Sequence, residues 1–434
     1  MGLHDPYKEM PDPSRRAILD HLKTHGIEGK RISEAAIEWE LRSFTLEDIE
    51  FLCKRLRPLE VGKSSFSPCG PCFNEFTPYP LWVTPAIYSM RCVSTALLLP
   101  LQSGVALYLA VNGRWNAIRT EIPRPIVLAS RLFANLVEFV KPLVSLVRKS
   151  INEQRALCVN RQGKFRLMSE GYTVMSHVWG ETMGWQNPTG FGPVTLPLRK
   201  QGMVLDQLQR CIDKCDTEWL WLDQIAMPEV YEDMDEEEQA ETERLRVDII
   251  NNLRAIYTNA EKVMVVDSTL LRLNTSSCID AAVVFCLSFS MHRLWPFTEC
   301  RLAKRVLLKT EDDCFDLDSI IDYLARTVLN NESRYYPMLG CLTPLRPTPT
   351  NSERLIFYGD NRYAPLLGDI YLGCGNRHTN VKVDHARALF PLLDLKWEYE
   401  WTLVDGLRHI GKCFPDQRDI LRRYCEYRNV EMPS

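Results

Sequence analysis

The chain of 434 residues has almost no net charge: 52 Lys and Arg stand against 56 Asp and Glu, for a formal −4. That balance, with no basic stripe along the chain, excludes a general electrostatic reason to bind nucleic acid, and no nucleic-acid partner is expected. Several compact catalytic signatures are also missing. There is no phosphate-cradling G-x-x-x-x-G-K-[ST], no G-x-G-x-x-G, no H-E-x-x-H and no G-x-S-x-G elbow. Cys69-Gly70-Pro71-Cys72 has no second C-x-x-C to complete a zinc site. It also lacks the preceding strand and following helix of a thioredoxin-like redox motif, so no metal is expected.

The opening residues MGLHDPYKEMPDPSRR carry no apolar leader core, and Pro6 occupies the place where a myristoylation pattern needs Ser or Thr. The 15 cysteines, scattered through apolar contexts such as Val284-Phe285-Cys286-Leu287, therefore read as free thiols in a reducing, cytoplasmic compartment. One uncharged run, 92–113, is long enough to span a bilayer. Pro100, Gln102, Ser103 and Gly104 interrupt it, so two buried strands joined by a turn fit it better than a span. The apolar segment 126–147 reads as a helix kinked at Pro142. Membrane contact at 92–113 or 126–147 is the weaker reading.

What is present is ordinary globular composition, 45% hydrophobic and 25% charged, over a length that suggests two or three packed units. Residues 1–160 read as a mostly helical N-terminal region with an apolar hairpin and helix. Residues 161–330 read as an α/β core, and 331–434 as an α/β C-terminal extension packed on it. In the core, GYTVMSHV, EWLWLDQIAM and EKVMVVD alternate with helical segments. This order predicts a doubly wound, mainly parallel sheet with helices on both faces. The run EVYEDMDEEEQAETE is expected to be a solvated loop or the acidic start of the helix that follows it.

Ligands of such sheets sit beyond the carboxyl ends of the strands. Two strand ends turn polar there: Ser176, His177, Trp179, Gly180 and Glu181 in MSHVWGE, and Asp223 and Gln224 in WLWLDQ. Further functional groups gather at Arg293, Trp295, Thr298 and Glu299 in MHRLWPFTEC, and at Arg377, Thr379 and Asp384 in GNRHTNVKVDH. Taken singly, each has a structural reading. A strand-ending Asp caps the next element, a His beside a core is satisfied locally, and Arg377 with Asp384 form an ion pair.

Taken in order, YTVMSHVWGE, WLWLDQIAMPE, NLRAIYTNAEKVMVVDSTL, RLWPFTECRLAKRVLL and NRHTNVKVDHARALFPLL resemble the fungal heterokaryon-incompatibility (HET) domain over about residues 165–395. Ala226 stands where that family commonly has Cys, and Pro296-Phe297-Thr298 replaces the usual residues before the Glu. The resemblance implies a flavodoxin- or TIR-like sheet and a role in self/non-self recognition and programmed cell death. It also implies a TIR-like site at which Glu299 binds or cleaves NAD at the nicotinamide–ribose bond as a hydrolase, with NAD as substrate and no required cofactor.

On that implication Trp179 and Trp295 flank an aromatic ring, Ser176 bonds a ribose or phosphate, Arg293 pairs with the pyrophosphate and Asp223 accepts from a ribose hydroxyl. His177, Gly180, Glu181 and Gln224 complete the binding set. Two alternatives stay open: a non-enzymatic signalling module working through protein partners or self-association, and an enzyme of specialised metabolism that turns the crevice to another small molecule.

Overall fold

The computed structural model describes residues 22, 24, 46–56, 139–178, 202–228, 230, 234–330, 333–346, 366–374, 377–379, 381–428 and 430. The hairpin read over 92–113, the Cys69–Cys72 pair and most of the N-terminal region lie outside them.

Helix α1, Leu46–Cys53, opens with acidic Glu47 and Asp48, which suit the positive end of a helix dipole. Its Ile49, Leu52 and Cys53 join the main core, and Leu56 bridges Leu273 beyond it. Strand β1, Phe139–Val140, precedes α2, Val144–Glu153. A continuous helix over 126–147 is not what forms at its described end: Pro142 falls between the two elements, and Leu143 is extended at φ −70° and ψ 141°. Proline cannot donate to the helical ladder and disfavours helix in the residue before it, so the helix restarts behind it.

Strands β2, Ala156–Asn160, and β3, Phe165–Met168, form an antiparallel hairpin. Its turn uses Gly163 at φ 73° and the Asn160 side chain, which accepts from the Gln162 and Lys164 amides at 3.1 and 3.0 Å. The boundary expected at 160/161 thus cuts through a hairpin of the core sheet. Strand β4, Thr173–His177, is buried along its whole length. Strand β5, Met203–Val204, pairs with β1 apart from the main sheet and leads into α3, Leu205–Cys215, whose Leu208, Cys211, Ile212 and Cys215 are buried. Strand β6, Trp219–Trp221, turns at Leu222 into the one-turn helix α4, Asp223–Ala226.

Helix α5, Glu236–Asn259, starts where the acidic run predicts a helix start: the Asp235 side chain accepts from the Glu238 amide, and Glu236, Glu237 and Glu238 fill the first turn. Next come β7, Lys262–Val266; α6, Cys278–Cys286; α7, Leu294–Leu302; β8, Val306–Lys309; β9, Cys314–Asp316; and α8, Leu317–Leu329. The rest is helical: α9, Tyr336–Leu342; α10, Leu366–Cys374; α11, Asp384–Arg387; α12, Phe390–Leu393; α13, Leu403–Cys413; and α14, Arg418–Tyr427. Among the described residues no strand follows β9, so the C-terminal extension is helical there rather than α/β. Its inward residues, Phe390, Trp397, Leu407, Ile410 and Leu421, join the main core.

The main sheet runs β3-β2-β6-β4-β7-β8-β9. Its four central strands, β6, β4, β7 and β8, pair in parallel, while the pairings β3–β2 and β2–β6 at one edge and β8–β9 at the other are antiparallel. It is an α/β sheet of mixed direction, with parallel pairing confined to the centre. Val174, Val263 and Val265 face the side covered by α5, α6 and α7, and Met175, Met264 and Val266 face the side covered by α3. Helices therefore cover both faces. The central strands are buried on both sides, which is why they read as unbroken apolar runs rather than alternating ones. Each fully buried valine contributes about 1.5–3 kcal/mol. The described cysteines are free thiols, and no described helix is long and apolar enough to cross a membrane.

Candidate functional site

Register places the site. Ser176 pairs with Val265 and His177 with Val266 at the carboxyl end of β4, between its parallel neighbours β6 and β7. Successive strand residues point to opposite faces. Ser176, in phase with Val174, therefore faces α5 and α7, and His177, in phase with Met175, faces the α3 side.

Helix α7 carries Glu299 to Ser176. The helix is buried on nearly every side, and only Trp295 of its residues is partly exposed. It accommodates Pro296 in its first turn, where an amide would have no helical partner. Neighbouring elements hold it: Thr298 donates to the Ala388 carbonyl at 3.0 Å, and Arg301 donates to the Pro344 and Arg346 carbonyls at 2.7 and 3.2 Å. At its far end the Arg346 guanidinium reaches the Cys300, Ala303 and Lys304 carbonyls at 2.7, 2.9 and 3.0 Å and grips Asp318 with two bonds. So fixed, Glu299 is 8% exposed and accepts a hydrogen bond from the Ser176 hydroxyl, 123 residues away in the chain. The Tyr257 phenol of α5 stands close to the same carboxylate and favours its ionised form.

Beside it, the β6 end supplies the second acid. Asp223 begins α4, where its Oδ1 accepts from the Gln224 amide at 2.6 Å and lies 2.8 Å from His177 Nε2. Burial pushes the Glu299 carboxyl from its ordinary 4.5 up to about 7, and the Asp223 charge adds to the rise; the Ser176 hydroxyl, His177 and the Tyr257 hydroxyl oppose it. Burial beside these two acids holds the Tyr257 phenol well above its usual range. A carboxyl poised near neutrality can take or give a proton at physiological pH, and the adjacent imidazole–carboxylate pair can stabilise charge. Ser176 bonds to Glu299 and His177 to Asp223, so the geometry is not a serine–histidine–acid relay.

Four residues singled out in the sequence, Ser176, His177, Asp223 and Glu299, thus meet in one network. Gln224 adjoins it and is 3% exposed, with neither amide atom hydrogen-bonded. Arg293 and Trp295 stand at the opening turn of α7, where the Trp295 indole donates to Asp384 at 3.0 Å. Arg377 is buried, with its guanidinium 4.9 Å from the Phe297 ring centre and a bond to the Gly373 carbonyl. Trp179, Gly180 and Glu181 lie outside the described residues. Tyr257 is the member that sequence reasoning passed over. Its signal is a phenol on the otherwise aliphatic buried face of α5, with Ile250, Leu253 and Ile256.

One other strand-end carboxylate has a structural task. Asp267, just after β7, is fully buried and accepts from the Thr269 amide at 2.8 Å and from the Ser290 amide and hydroxyl at 3.2 and 2.7 Å. Among the described residues no cluster of His, Cys, Asp and Glu could hold a metal ion. Compared with family models, with curated proteins and with solved structures, the chain matches none.

Proposed function

We propose that the protein is a HET-type effector of regulated cell death whose sheet crevice binds NAD and cleaves its nicotinamide–ribose bond at Glu299. The observation that carries this reading is the bond from Ser176 to Glu299, which joins two distant motifs at the carboxyl end of the central strand. The parallel strands stand in the order β6-β4-β7-β8, the second, first, third and fourth of them in the chain. That order, with helices on both faces, supports a doubly wound, flavodoxin-like winding whose ligand crevice opens between β4 and β7.

Breaking an N-glycosidic bond builds positive charge on the ribose, as in other glycoside cleavage. The Glu299 carboxylate meets that charge without reorganising, because Ser176 already holds it and α7 is fixed by its neighbours. It also accepts the proton of the attacking water or of a ribose hydroxyl. Asp223, oriented by His177, accepts from a ribose hydroxyl. The non-enzymatic reading, an interaction module with a structural Glu299, draws its support from the deep burial of that carboxylate and from the Ser176 hydroxyl already bonded to it.

Chromatographic detection of nicotinamide separates the two. The cleavage reading expects release by the wild-type protein and at least a hundredfold less from Glu299→Gln, roughly the loss of one preorganised charge-stabilising group. Equal release from both, or none from the folded wild type at high concentration, refutes it.

A further inference from the structure

The opening turn of α7 carries a second constellation, built jointly with the C-terminal extension. Arg293 pairs with His378 in a parallel bridge: the Leu294 amide donates to the His378 carbonyl at 3.0 Å, and the His378 amide donates to the His292 carbonyl at 2.8 Å. Residues paired in this way present their side chains on the same side of the bridge. The Arg293 guanidinium and the exposed His378 imidazole therefore stand side by side.

Among the described residues the cation of this pair has no ion-pair partner within salt-bridge distance. Arg293 has its guanidinium 5.5 Å from the Phe289 ring centre, and among the described residues it has no hydrogen-bonded or ion-paired side-chain partner. Burial lowers its pKa, and the carboxylate that opposes this is Asp384. Asp384 is already engaged by the Trp295 indole at 3.0 Å and by Arg387 at 3.4 Å. More donors ring the place. His385 follows Asp384, and its Nδ1 is buried with no hydrogen bond. Arg428, beyond α14, lies near both histidines: burial and its charge hold His378 below its usual value and press His385 down to about 4. The Tyr424 hydroxyl ties the His385 carbonyl to α14 at 2.7 Å. The Arg293 guanidinium and the His378 imidazole thus stand side by side, with His385 and with Arg428, which donates to the Cys374 carbonyl at 2.6 Å, close by. A partly dehydrated cation with no partner costs stability unless a ligand supplies the missing charge.

We infer that Arg293 and His378, backed by His385 and Arg428, form a binding site for the phosphate groups of a phosphate or pyrophosphate ester. A guanidinium fork matches two oxygens of a tetrahedral phosphate, and the neutral imidazole donates to a third. The site deepens the nucleotide reading above by naming the residues that take the ligand's anionic end, and His378 brings the C-terminal extension into ligand binding. Six helical positions separate Arg293 from Glu299, about 9 Å along the axis at about 1.5 Å per residue. That is close to the reach from a pyrophosphate to a ribose carbon.

The test is calorimetric titration of the full-length protein with inorganic pyrophosphate, which needs no turnover and so fails separately from the cleavage reading. The wild type is expected to bind saturably at one site. Arg293→Gln is expected to weaken binding about tenfold or more, the worth of a charge-assisted hydrogen bond. His378→Gln, at an exposed position, is expected to weaken it several-fold. Arg305→Gln serves as the control for a lost surface charge, because Arg305 pairs with Asp316 at the far edge of the sheet at 2.8 Å; it is expected to bind as the wild type does. Adenosine diphosphate binding at least as tightly, with the same dependence on Arg293, assigns the phosphates to a nucleotide. Tighter binding of pyrophosphate assigns them to a smaller phosphate compound. Absence of saturable binding by the folded wild type, or equal weakening by Arg305→Gln and Arg293→Gln, overturns the inference.

Discussion

Replacing Glu299 by glutamine exposes the energetic cost of the site. The buried carboxyl titrates at about 7 rather than its ordinary 4.5, so the folded state holds this proton more tightly than the unfolded chain does. The associated stability is fully present below about pH 4.5 and is lost as the pH rises through about 7. At about 1.4 kcal/mol per pH unit, that interval makes the ionised carboxylate cost the fold about 3 kcal/mol at pH 8. Glutamine keeps the shape and can still accept from Ser176, but it never ionises. Glu299→Gln should therefore match the wild type in stability near pH 4.5 and exceed it by up to about 3 kcal/mol at pH 8. Denaturant unfolding of both proteins across this range reads the difference, and titrating groups distant from Glu299 cancel in it. A difference independent of pH, or a wild type that gains on the variant as pH rises, would mean that Glu299 is not the dehydrated acid described. A stability gain from removing a catalytic group is the expected trade of stability for function.

Other perturbations follow from the same network and its supports. Asp223→Asn removes the charge that helps raise Glu299, so the pH midpoint of the wild-type-minus-glutamine stability difference should move down in its background. Ser176→Ala removes a bond to the ionised form and should move that midpoint up. Arg346→Met leaves three carbonyls at the end of α7 without their donor and should cost about 3 kcal/mol in denaturant unfolding, with a full-strength variant excluding the anchoring role. An added Cβ at Gly373 would overlap the Phe297 ring on the helix that carries Glu299. Gly373→Ala should therefore cost about 1–3 kcal/mol and lower any turnover with it, as thermal melts and nicotinamide release would report.

Much of this architecture can be read from residue pattern. The buried central strands are the apolar runs around Val174 and Val263, and the polar residues that end them, Ser176, His177 and Asp223, mark the carboxyl edge of the sheet. The antiparallel edges were harder to read. The Arg161-Gln162-Gly163 turn between ALCVN and FRLM is a hairpin signal, but β2 and β3 are short, and a boundary drawn between them hides it. Pro142, read as a kink, acts as a break: β1 ends before it and the helix restarts at Val144. The meeting of Glu299 with Ser176 depends on how α7 packs against the sheet, which no local spacing encodes. Tyr257 was hidden for the same reason: on a helix with an aliphatic inner face, a phenol reads as core until the fold sets it beside a carboxylate. Arg293 stood out in the sequence, but its neighbour His378 could not, since a single backbone bridge across 85 residues joins them.

The most direct test of the central claim is the pH dependence of nicotinamide release under kcat/KM conditions. If the Glu299 carboxylate carries the reaction, release should rise with pH to a plateau, with a midpoint near 7 in the wild type that Asp223→Asn lowers, and Glu299→Gln should lack the rise. A profile unchanged by either substitution, or no release at any pH from the folded protein, would contradict the account.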